Sequence, residues 1–109
     1  MGEKTDKGEK MRFLLVEDSP ELARSVHDLL SLDGHGVDWA ATLTEAQDCL
    51  NATQYDLILL DIMLPDGDGR RFLQDQRRAG CDTPVIVMTA RAAVSDRVDL
   101  LDSGADDYI

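Results

Sequence analysis

The sequence predicts an α/β fold, five short strands alternating with helices around a parallel sheet, and three observations predict it. From Met11 onward, short apolar runs alternate with amphipathic stretches, the pattern of successive βα units. The runs, such as Phe13-Leu14-Leu15-Val16, are apolar at every position, as strands covered on both faces require. Turn and capping residues fall between the runs, where strand must give way to helix.

Taken in order, Phe13 to Val16 is the first strand. Ser19 suits an N-cap and Pro20 the first helical position. Leu22, Val26, Leu29 and Leu30 then recur at helical spacing as one apolar stripe, ended by Asp33-Gly34. Val37 to Ala40, which contains Trp39, is the second strand. Thr42 and Glu45 have capping-box spacing at the start of a second helix whose buried side is Ala46, Cys49 and Leu50. Leu57 to Leu60 is the third strand, Pro65-Asp66-Gly67 a turn, and Asp68 through Ala79 a third helix stopped by Gly80. Val85 to Met88 supplies the fourth strand. Val94, Val98 and Leu101 mark a fourth helix ending at Gly104, and Tyr108-Ile109 begins a fifth strand that is cut short.

With 43% apolar and 30% charged residues in 109, the chain suits one compact domain. Residues 1–10 hold three lysines and three acids and read as a disordered extension or tag, which leaves 11–109 for the domain. The apolar runs fall far short of the roughly 20 residues that span a bilayer, and no leader pattern precedes the first strand, so a cytoplasmic location is expected. A net charge of −11 argues against direct nucleic acid binding, which needs Lys and Arg to replace counterions. Cys49 and Cys81 are expected to be reduced thiols. His27 and His35 lack a second ligand at metal spacing and are expected to be surface residues.

Two of the strands end in acids: Glu17-Asp18 follows Val16, and Asp61 follows Leu60. Ligands of such sheets bind outside the carboxyl ends of the strands, so these acids converge in the crevice. A lone acid there is adequately explained as a helix cap or a solvated side chain. Three that repel one another call for a cation, and hard oxygen donors suit Mg²⁺ or Mn²⁺. A carboxylate can also attack phosphorus while nearby donors neutralise the transferring oxygens. Thr89-Ala90, following Met88 at the same edge, offers a hydroxyl and backbone N–H groups, although a strand-end threonine is commonly structural.

The segments Phe13-Leu-Leu-Val-Glu-Asp18, Asp61-Ile-Met-Leu-Pro-Asp-Gly-Asp-Gly69, Val87-Met-Thr-Ala-Arg91 and Gly104-Ala-Asp-Asp-Tyr108 together resemble the CheY-like receiver domain of bacterial two-component response regulators. The resemblance implies a doubly wound, flavodoxin-like sheet of five parallel strands in order 2-1-3-4-5 with helices on both faces, and a sensor histidine kinase as phosphoryl donor. It makes Asp61 the phosphoacceptor, Glu17 and Asp18 the acidic pair that holds Mg²⁺ with Asp61, and Met63 a further ligand through its backbone carbonyl. Thr89 and Tyr108 match the switch pair, with Ala90 a backbone phosphate contact. Thr-Ala-Arg and Gly-Ala-Asp-Asp-Tyr are most similar to the OmpR/PhoB-type winged-helix transcription regulators, which form a homodimer through the fourth helix, fifth strand and fifth helix. Arg97, Asp106 and Asp107 fall at matching interface positions, although an ordinary solvated surface explains them as well.

The family continues with a lysine two residues beyond Ile109, a proline and a fifth helix, so the chain reads as C-terminally truncated, without an output domain. Exposed apolar surface and reduced stability are expected from that. Two rival readings exist. An aspartate-nucleophile hydrolase of the haloacid dehalogenase type wants an acid two residues after the nucleophile, where this chain has Met63. A receiver-like binding module that works without phosphorylation is the other. A calcium loop at Asp66-Gly67-Asp68-Gly69 is rejected, because Arg70 stands where an acid or amide is needed.

Overall fold

The computed structural model describes residues 10–88 and 104–108. Its elements are β1 (Arg12–Val16), α1 (Pro20–Leu32), β2 (Gly36–Ala40), α2 (Leu43–Ala52), β3 (Leu57–Asp61), β4 (Met63–Leu64), β5 (Gly67–Asp68), α3 (Gly69–Arg78), β6 (Val85–Met88) and β7 (Asp107–Tyr108). Five strands form one sheet in the order β2-β1-β3-β6-β7, and every pairing in it is parallel. This is the expected 2-1-3-4-5 order once the small antiparallel pair β4-β5 at the expected turn is set aside. The proposed fourth helix with Val94, Val98 and Leu101, together with Thr89, Ala90, Arg97 and Ile109, lies outside the described residues.

Alternate residues of the central strands feed two cores. Leu14, Val16, Ile58, Leu60, Val85 and Val87 join Phe72 and Leu73 of α3 and Ala46 of α2 on one face. Leu15 and Leu59 meet Ala23, Val26 and Leu30 of α1 on the other. Period-2 alternation therefore has apolar residues in both phases, which is why the runs read as uniformly apolar.

The helix starts follow local chemistry. Ser19 caps α1 through its side chain, which accepts from the Leu22 amide, and Pro20 occupies the first turn. Thr42 caps α2 by accepting from the Glu45 amide, while Glu45 accepts from the Ala41 amide, one residue earlier than a standard capping box. The stripe expected on α1 is shifted. Ala23, Val26 and Leu30 pack against the sheet, whereas Leu22 and Leu29 remain 47% and 66% exposed. The small Ala23, only 2% exposed, sits where the helix lies against the sheet, and it turns both leucines to the flank.

Candidate functional site

Strand β1 pairs with β2 on one side and β3 on the other, so the chain reverses direction of winding between β1 and β3. Acids at their carboxyl ends open into that crevice. Glu17, Asp18 and Asp61 each bring a carboxylate oxygen into one cluster, with all three oxygens within 4.8 Å of one another. Glu17 is buried, Asp61 half-buried and Asp18 exposed, so the cluster has a closed back and an open front.

The backbone around the cluster is fixed by specific bonds. The Glu17 amide donates to the Ala40 carbonyl at 3.0 Å, and its own carbonyl accepts from the Trp39 indole Nε1 at 2.7 Å. The Ser19 amide donates to Glu17 Oε2 at 2.9 Å. The Met63 amide donates to Asp61 Oδ1 at 3.2 Å, which brings the Met63 backbone beside the Asp61 carboxylate. Gly69, the first residue of α3, passes so close to that strand end that a Cβ would lie 2.7 Å from the Asp61 carbonyl oxygen and from Ile62 Cα.

Burial, together with the nearby Asp61 charge, pushes the Glu17 carboxyl up to about 7 against the lowering effect of the Ser19 amide. A buried carboxyl held beside two others is a destabilised anion, and a divalent cation relieves it by replacing mutual repulsion with attraction. Three hard oxygen donors at this separation fit Mg²⁺ or Mn²⁺.

The remaining candidate residues are placed as follows. Asp61 is in register with Met88, the last residue of β6, and Thr89 itself lies outside the described residues. Tyr108 is in register with Val87 and Asp107 with Ile86, which sets β7 beside the strand that leads to Thr89. Asp106 is engaged within the chain: its Oδ2 accepts from Arg77 at 3.0 Å and from the Val85 amide at 2.8 Å. Arg77 also donates to the carbonyls of Gly104, Cys81 and Thr83. Sequence reasoning missed this hub and the Trp39 contact, because neither has a local signal. His35 accepts from the Met11 amide and meets Phe13 edge-on, so its role is structural. Cys49 and Cys81 are free thiols.

Fold and site together define an α/β module with an acidic pocket at the switch point of its sheet. Comparison with known proteins narrows that class: the model of the response regulator receiver domain matches residues 13–109, and the chain belongs to that family. Over 99 residues it is 43% identical to the transcriptional regulatory protein DltR of Streptococcus agalactiae and to the response regulator protein PmrA of Pseudomonas aeruginosa, covering 91% of this chain and 44% and 45% of theirs. The chain therefore spans less than half the length of these relatives. Among solved structures it is similar to the receiver domain of Francisella response regulator 1452, at 29% identity and a TM-score of 0.88, covering 92% of this chain and 83% of that one. The non-phosphorylated HemR receiver domain of Leptospira biflexa is 34% identical with a TM-score of 0.84, over 92% and 81% of the two chains. Receivers of this family bind Mg²⁺ at an acidic pocket, and Glu17, Asp18 and Asp61 form such a pocket here. They are signalling modules of two-component systems. None of the helices among the described residues is long and apolar enough to cross a membrane.

Proposed function

We propose that Asp61 accepts a phosphoryl group from a sensor histidine kinase, and that Glu17, Asp18, Asp61 and the Met63 carbonyl hold the Mg²⁺ this requires. The observation that carries the reading is the gathering of three carboxylate oxygens within 4.8 Å at the ends of β1 and β3. Bound there, the cation supplies charge neutralisation for the transferring oxygens. The Met63 amide orients Asp61 by holding Oδ1. A carboxylate oxygen forms the new bond to phosphorus as the bond to the donor nitrogen breaks, and the electron pair leaves with the imidazole.

Thr89 and the Ala90 amide bind the phosphoryl oxygens, and Tyr108, in register with Val87 on the strand that precedes them in the chain, follows the rearranged loop. The phosphoryl group favours one of two packings of that region rather than building a new one. Arg97, Asp106 and Asp107 contribute to a homodimer face, and the longer protein acts in the cytoplasm as a transcription regulator whose DNA contacts lie outside residues 11–109. The module turns over no external substrate; its chemistry is phosphoryl uptake and slow self-dephosphorylation.

Intact mass after incubation with Mg²⁺ and acetyl phosphate tests this. One phosphoryl adduct is expected on the wild type and none on Asp61→Asn. An adduct that persists in Asp61→Asn would move the acceptor elsewhere, and no adduct on either chain would favour a binding module that works without phosphorylation.

A further inference from the structure

The structure assigns Trp39 a positioning role: its indole N–H holds the peptide of Glu17 and thereby sets the metal affinity of the acidic cluster. This rests on the reading of Glu17, Asp18 and Asp61 as cation ligands.

Trp39 lies on β2, at the edge of the sheet, and is 46% exposed. An exposed indole on an edge strand is not there to fill a core. It lines a groove together with Pro20, Ala23, Arg24 and His27 of α1. From that position Nε1 donates to the Glu17 carbonyl at 2.7 Å, a short bond for an N–H donor. The next residue of the same strand, Ala40, accepts from the Glu17 amide. Both polar groups of the Glu17 backbone are therefore fixed to β2, one by backbone and one by a side chain. The Ser19 amide donates to Oε2, so the carboxylate as well as the peptide of Glu17 is held in place. Like-charge repulsion tends to push the buried Glu17 carboxylate away from Asp61, and the loop at 17–19 would yield to it if untethered. The indole tether resists that movement, so the ligands stay close before a cation arrives and less ordering is needed when it binds.

The test replaces one atom. β-(3-Benzothienyl)alanine at position 39 keeps the ring's shape and lacks the N–H, and 5-fluorotryptophan at the same position keeps both. Binding of Mn²⁺ is measured by the electron paramagnetic resonance signal of the free ion, and metal-free thermal stability is measured alongside it. The benzothienyl chain is expected to bind Mn²⁺ roughly three- to tenfold more weakly, the equilibrium worth of one hydrogen bond, and the fluorinated chain to match the wild type. As Trp39 is the only tryptophan, wild-type emission is also expected to change as Mn²⁺ is added. Equal affinity in the benzothienyl and wild-type chains, with or without a lower melting temperature, would overturn the inference and leave the tryptophan a structural role at most. A wild type that binds no Mn²⁺ would instead overturn the reading of the cluster itself, and this inference with it.

Discussion

The two ends of the sheet use the same side chains in opposite ways. Toward the amino ends and middle of the strands, three carboxylates are held by donors. Asp38 Oδ2 accepts from the Tyr55 hydroxyl at 2.6 Å and from Arg12 at 3.4 Å, Asp56 accepts from the Arg12 amide at 2.7 Å, and Asp106 accepts from Arg77 and Val85. Burial, with the bond to Asp38, pushes the Tyr55 phenol well above its ordinary value and keeps it a donor. At the carboxyl ends, Glu17, Asp18 and Asp61 face one another. Satisfied acids hold strands and loops together. Crowded ones carry unfavourable energy that a bound cation removes, so the binding end of the molecule is the end that costs stability.

The largest expected break in that comparison is Arg77→Ala. It strips donors from the carbonyls of Gly104, Cys81 and Thr83 and leaves Asp106 without its guanidinium. A loss of about 2–3 kcal/mol is expected from leaving three part-buried carbonyls without their donor. Chemical denaturation measures it, and a loss under about 1 kcal/mol would mean that this network does not hold the fold. Gly69→Ala attacks the other end. Its Cβ meets backbone rather than a movable side chain, so a cost of about 1–3 kcal/mol is expected, together with weaker Mn²⁺ binding as the end of β3 shifts.

Asp61→Asn sharpens the contrast through its sign. In metal-free buffer it should raise stability by about 1 kcal/mol by relieving repulsion, whereas Asp38→Asn should lower it. Matching signs in the two melting curves would erase the distinction between the ends. The smallest effect belongs to Asp66, whose carboxylate accepts from the Leu43 amide at 2.8 Å and from both the amide and the hydroxyl of Thr44 at 3.0 Å. The Leu43 bond, helped by those to Thr44, holds the Asp66 carboxyl below its ordinary value. A carboxyl lowered on folding adds stability above its unfolded pKa, about 3.9, and loses it as pH falls through the lower folded value. The stability difference between wild type and Asp66→Asn should thus be largest near neutrality and shrink in acid; a pH-independent difference would remove the ionised cap from the account.

What the sequence disclosed is what is local. Ser19 and Thr42 lie three residues from the amides they cap, and Glu17, Asp18 and Asp61 follow strands whose apolar runs are unmistakable, so caps, strands and the acidic cluster could be placed in advance. The hidden features join distant segments. Asp66 caps a helix that starts 23 residues earlier in the chain, Trp39 reaches Glu17 across 22 residues, and Arg77 reaches Gly104 across 27. No periodicity marks such contacts, since they arise only once the sheet sets its neighbours. The α1 stripe was half right, with Val26 and Leu30 packed and Leu22 and Leu29 exposed, for a related reason: helical spacing identifies several apolar residues, but the face that packs is chosen by where a residue as small as Ala23 lets the helix approach.

Strand β1 is hydrogen-bonded along both sides, and Leu14, Leu15 and Val16 are each 0% exposed. Its amides can exchange with solvent only when the whole sheet opens, so their protection reports the global unfolding free energy, while the short β7 can open alone. Because Glu17 is the residue that follows β1, one wall of the acidic cluster belongs to the last part of the molecule to come apart. Partial unfolding that begins at the far edge of the sheet leaves that wall standing.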